Sequence, residues 1–166
     1  MDNKTIRQLY IAELKAEDAS TRKCLEGIRR DLFDFKPHET SMQMGYLTLL
    51  VAEMPGWISA MITDSEIDLA TYPHFEFKDT ESLLQQYDKG FKDAITALEN
   101  ITEEQIKTDF VLKQNGQKVW SVGKLQGIGE TINHWVHHRG QLTVYMRMNQ
   151  IRVPSVYGPS ADDQGF

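Results

Sequence analysis

Apolar residues recur at helical spacing over long stretches of this chain, and that periodicity restricts the fold more than any other feature. Ile6, Leu9, Tyr10, Leu14, Thr21, Cys24, Leu25 and Ile28 fall on one stripe of a first helix. Glu17 lies on the same stripe as its charged exception and reads as a helix edge reaching solvent. Asp2 or Asn3 is placed to cap the start.

Proline and glycine punctuate the rest of the chain. Asp34 to Thr40 reads as a connector because Pro37 blocks helix continuation. A second helix, with Ser41 as N-cap, carries Met44, Leu47, Thr48, Val51, Ala52, Ile58, Met61 and Ile62. Pro55 and Gly56 predict a kink or break within it. Asp64 to Asp79 reads as irregular, with Pro73 inside it. A third helix, capped near Asp79 or Thr80, buries Leu83, Leu84, Tyr87, Phe91, Ile95 and Leu98. Thr102 and Gln105 match a capping box for one short turn.

Phe110 to Leu112 and Lys118 to Trp120 flank Asn115-Gly116, a pair whose tolerance of positive φ predicts a β-hairpin. Such a hairpin needs the helices for support. Ser121 is the expected cap of a fourth long helix with Leu125, Ile128, Ile132, Trp135, Val136, Leu142, Tyr145 and Met146 in the core. Gly123, Gly127, Gly129 and Gly140 within it predict close approach of another backbone. The tail from Ile151 to Phe166, rich in Pro, Gly and Ser, reads as an irregular strap. The pattern predicts an all-α four-helix bundle with a small β-hairpin before the last helix, forming one domain over residues 1–166.

Charge and cysteine narrow the function classes. Lys and Arg total 18 against 24 Asp and Glu, a net charge of −6 that disfavours nucleic-acid binding. Cys24 is the single cysteine, so an intrachain disulfide and a multi-cysteine metal site are excluded. The start lacks the apolar core of a signal peptide, and the run Tyr46 to Ala52 is too short to span a bilayer. The expectation is a cytoplasmic protein without membrane partners.

Three of the five histidines crowd together as His134, His137 and His138. His134 and His138 stand at i and i+4 on one helix face, the spacing that presents two imidazoles to one metal. Position 135 is Trp, so this is not the zincin motif. Gly127-Ile128-Gly129 fails as a dinucleotide fingerprint because Ile132 stands where a glycine is needed. Arg139 reads either as an anion contact or as a buried ion pair with Glu53 or Glu130, and the ion pair is favoured. Glu130, four residues before His134, is placed to orient that imidazole. Trp120 reads as core; Trp57 and Trp135 read as core or as a cleft wall. Met42, Met44, Met146 and Met148 read as core fill and edge.

The string Asn133-His134-Trp135-Val136-His137-His138-Arg139-Gly140-Gln141-Leu142 resembles the hallmark of the DinB/YfiT-like family. Ala52-Glu53-Met54-Pro55-Gly56-Trp57 and Pro154-Ser155-Val156-Tyr157-Gly158-Pro159-Ser160-Ala161-Asp162 resemble it too. The resemblance implies an up-down-down-up bundle, often a homodimer. It also implies a divalent metal, Zn or Ni, held by three histidines, and thiol transfer or isomerisation with small thiols such as bacillithiol or mycothiol. His134 and His138 match two of those ligands. The third position, on the second helix, is Leu50. Glu53, His74 and His38 are the residues that could replace it; His137 and Arg139 are further site candidates. Two functions follow as expectations. One is a metal-dependent transferase or hydrolase with a degenerate His site. The other is a metal-free small-ligand-binding or dimeric scaffold protein without catalysis.

Overall fold

The computed structural model describes residues 3–73 and 75–165, so the Asp2 cap and His74 lie outside the described residues. Among these residues the chain forms α1 (Asn3–Glu26), a 3₁₀ turn (Arg30–Leu32), α2 (Met44–Thr63), β1 (Glu66–Asp68), α3 (Thr80–Asn100), α4 (Glu103–Ile106), β2 (Asp109–Gln114), β3 (Gln117–Gly123) and α5 (Lys124–Met148). The fold is mostly helical with a small sheet. Helix α2 packs on α3 and α5, and α1 packs on the same two helices. Leu14, Cys24 and Leu25 of α1 are fully buried, as the stripe predicts, whereas Leu9 is 55% exposed.

Helix α2 departs most from expectation. It runs unbroken through Pro55 and Gly56. Gly56 sits where α3 crosses: a Cβ on Gly90 would lie 3.1 Å from the Gly56 backbone nitrogen. The proline removes one hydrogen bond, but burial against α3 and α5 holds the helix together. Ser41 is not its cap; Gln43 holds that position and makes no side-chain cap bond. Carbonyls of the preceding connector serve the helix start instead: Met44 N–H donates to Phe35 O (2.9 Å) and Gly45 N–H to Phe33 O (3.0 Å). The run Tyr46 to Ala52 is thus part of a 20-residue helix long and apolar enough to cross a bilayer, yet most of it is buried in the protein.

The two local capping signals hold. Asp79 caps α3 and Thr102 caps α4, each with a reciprocal bond from the third helical residue. Asn115 (φ 52°) and Gly116 (φ 76°) make the expected tight turn between β2 and β3. Strand β1, in the segment read as irregular, adds to β2 in parallel. The Asp68 carboxylate accepts from Ala70, Asn115 and Gly116 N–H at 3.0, 3.0 and 2.6 Å. Those backbone bonds hold its carboxyl below the usual range.

Ser121 stays inside β3, and Gly123 precedes α5 without a side-chain cap. Lys124 N–H donates to Thr108 O (3.1 Å), so the neighbouring strand's lead-in replaces the cap. The α5 glycines admit side chains rather than backbone. A Cβ at Gly127 would meet Val122 Cγ1 at 2.8 Å and Met61 Sδ at 2.9 Å, and one at Gly129 would meet the Tyr10 hydroxyl at 3.1 Å. Gly140 has nothing within 4 Å, contrary to expectation.

Candidate functional site

A cavity of about 680 Å³ lies between α2, α5, the sheet and the segment after β1. Successive turns of α2 supply Leu49, Leu50, Glu53, Met54, Trp57 and Met61. The apolar face of the hairpin supplies Phe110, Leu112 and Trp120, while Leu69 and Phe75 close another wall. From α5 come Glu130, Thr131 and His134. Trp120 is therefore 40% exposed at this wall, edge-on to Phe110, rather than core. Trp57 also lines the cavity, stacked at a tilt on Tyr72. Trp135 faces the core beside Tyr87, and its indole N–H lacks a hydrogen-bond partner among the described residues.

The i, i+4 spacing brings His134 and His138 together, with their Nε2 atoms 2.7 Å apart. That is a hydrogen bond, so one nitrogen carries the proton. His138 Nδ1 lies 2.7 Å from Gln141 Oε1. An amide oxygen only accepts, so His138 carries its proton on Nδ1 and its Nε2 accepts from His134 Nε2–H. Burial first, then the His138 and His137 imidazoles, push His134 below its ordinary value. His134 reaches the cavity; His138 is buried behind it. His137 is exposed against the His138 ring, away from the cavity lining.

Leu50 lines the same cavity as His134, where the resemblance places a third imidazole. Glu53 also lines it, with Oε1 accepting from Phe75 N–H at 3.0 Å, a bond that fixes one wall. Glu130 accepts from Gln126 Nε2 at 2.7 Å, while His134 pairs with His138 instead. His38 is exposed in its connector and pairs with Thr40. Among the described residues, no group of three or more His, Cys, Asp or Glu side chains is placed to hold a metal ion.

Arg139 points away from the cavity, and its partner is Glu17 rather than Glu53 or Glu130. Its Nη2 lies 2.5 Å from Glu17 Oε2, with both residues buried. Arg139 Nη1 donates to Glu17 O, Ser20 Oγ and Thr21 Oγ1 at 3.2, 3.0 and 3.1 Å. Tyr157, from the tail, accepts from Arg139 Nη2 at 2.9 Å and bonds the Glu17 carboxylate at 3.0 Å. Glu17 is therefore a buried ion-pair partner, not a helix edge in solvent.

The sequence profile of the DinB family matches residues 1–164. This chain belongs to the DinB family. A DinB-like protein of Bacillus subtilis shares its fold with a TM-score of 0.65 at 22% identity, covering 87% of this chain and 93% of that one. A DinB-like protein of Bacillus cereus ATCC 10987 gives the same TM-score and identity over 89% and 95%. No curated protein matches.

In this DinB family chain the string Asn133 to Leu142 thus divides its work across α5. His134 faces the cavity, while Arg139 fastens α5 to α1 and the tail. Sequence reading misses several participants. Gln141 lies inside that same string, and its i+3 spacing from His138 is the signal that points to it. Phe110 and Leu112 stand two apart on β2, the period that sends both to one face. Lys124 gives no signal: it is fully buried and donates to Ile62 O (3.0 Å) and Ser65 Oγ (2.8 Å), joining the end of α2 to the start of α5.

Proposed function

We propose that this DinB family protein binds a small, largely apolar molecule in the cavity between α2, α5 and the sheet, without a catalytic metal. The observation that carries this reading is Leu50 on the cavity wall. It places hydrocarbon where a metal site would need a donor, and a catalytic zinc centre takes three protein ligands and an open position. The described donors do not complete a three-ligand Zn or Ni centre, because no third described donor joins the two imidazoles. Leu49, Met54, Trp57, Phe110 and Trp120 supply apolar area, and His134 supplies one polar contact. Such a balance of apolar wall and few polar groups suits a small-molecule site. The reading includes the up-down-down-up helix order, a cytoplasmic homodimer, and neither nucleic acid nor membrane as partner.

The metal-dependent transferase or hydrolase remains the second reading, favoured by the convergence of His134 and His138 Nε2 beside a cavity that Glu53 also lines. One experiment separates them. Tag-free protein purified without chelator is assayed for metal, before and after incubation with Zn or Ni. In parallel it is titrated with the neutral fluorophore N-phenyl-1-naphthylamine. The expected result is saturable dye binding without stoichiometric metal, with the dye lost in Leu50→Lys. Stoichiometric metal that disappears in His134→Ala would overturn the proposal in favour of the enzyme.

A further inference from the structure

The cavity has a charge as well as an apolar surface. Its described ionisable lining includes Glu53, Glu130 and His134, and no Lys or Arg is among the described lining residues. The described lining therefore brings two carboxylates and one imidazole. Five aromatic rings, those of Tyr46, Trp57, Phe75, Phe110 and Trp120, share the same surface. The faces of such rings attract cations. Glu53 is half-buried with one oxygen bonded to Phe75 N–H, while Glu130 is exposed towards the rim.

From this juxtaposition we infer that the cavity selects a lipophilic cation, an amine or quaternary ammonium carried on an aromatic or alkyl body. The inference rests on the small-ligand reading and names the class of ligand for that site. An anionic ligand of the same shape would bring a further negative charge beside two carboxylates, which repel it. A neutral ligand gains the apolar contacts and nothing from the carboxylates. A cation gains the apolar contacts, the carboxylates and the ring faces, which offset its lost hydration. The protein's net charge of −6 draws cations towards the surface in the same sense.

The test uses three ligands with one skeleton: 4-phenylbutylamine, 4-phenylbutan-1-ol and 4-phenylbutyrate, titrated calorimetrically into the full chain at pH 7. The amine is expected to bind about tenfold more tightly than the alcohol, the value of a partly desolvated cation–ring and carboxylate contact. The butyrate is expected to bind weakest. In Glu130→Gln the amine should lose most of its advantage over the alcohol. An amine no tighter than the alcohol, or a Glu130→Gln effect equal on both, would overturn the cation preference and leave the small-ligand reading standing. If none of the three binds and N-phenyl-1-naphthylamine also fails, the small-ligand reading itself falls. A preference for the butyrate would point to an anion site and sink the inference outright.

Discussion

Arg139 shows how far apart in sequence the partners of one side chain can lie. Its guanidinium meets Glu17, Ser20 and Thr21 of α1 and Tyr157 of the tail, so one residue of α5 fixes two other segments. Removing it leaves the Glu17 carboxylate buried without its counter-charge. Arg139→Met is expected to cost about 3–5 kcal/mol in urea denaturation, the usual penalty for breaking one side of a buried pair. Arg139→Met combined with Glu17→Leu should recover much of that loss, because no charge is then stranded. The apolar stripe of α1 is legible in the sequence. The role of Glu17 is not, because a periodicity shows which face is buried but not which residue on a distant helix waits there. Cys24 lends itself to a second residue-scale test. It is fully buried, and burial pushes its thiol up to about 11, so it holds little thiolate at neutral pH. Ellman's reagent at pH 8 is expected to leave the native protein unlabelled and to titrate one thiol in denaturant. Rapid native labelling would show that Cys24 is accessible.

Elements whose ends are set by local chemistry are legible in the sequence; elements whose ends are set by distant backbone are not. Asp79 and Thr102 bond within their own helix turn, so the signal and the structure occupy the same few residues. Ser41 and Ser121 are good cap residues at the expected places, but Phe35, Phe33 and Thr108 carbonyls do the work from outside. Strand β1 is hidden for a related reason: three residues become a strand only because β2 lies beside them. The glycines carry the same lesson and a prediction. Gly140 is exposed in mid-helix with nothing within 4 Å of an added Cβ, so Gly140→Ala should stabilise the protein by up to about 1 kcal/mol through helix propensity alone. Gly90→Ala gains the same propensity but drives a methyl against the α2 backbone at Gly56, 3.1 Å away. Two packed helices would have to part, and overpacking of this kind costs about 1–3 kcal/mol. Thermal melts of the two variants should therefore shift in opposite directions.

The cavity belongs to the whole molecule, because α2, α5, the sheet and the segment ending at Phe75 each supply a wall and none does so alone. Its histidines are legible from their spacing, since i and i+4 on one helix must meet. Its aromatic walls are legible as residues but not as a site, because Trp120 and Phe110 reach α2 and α5 only through the fold. Leu50 is where these scales join. It lies on the wall that His134 also reaches, so an imidazole placed there should complete a three-nitrogen set with His134 and His138. Leu50→His is expected to tighten Zn binding at least about tenfold over the parent, read by competition with a chromophoric chelator. Since only the folded chain brings α2 and α5 together, bound metal must also stabilise the fold. Zn at 100 times its Kd should then contribute about 2.7 kcal/mol, seen as a metal-dependent rise in melting temperature. Adding His134→Ala to Leu50→His should abolish both effects. Removing the Leu50 side chain from the wall should also weaken N-phenyl-1-naphthylamine, so metal affinity and apolar affinity should move in opposite directions in the same variant. If Leu50→His gains no Zn affinity while remaining folded, the side chain at position 50 does not face the imidazole pair, and the cavity wall has been placed wrongly.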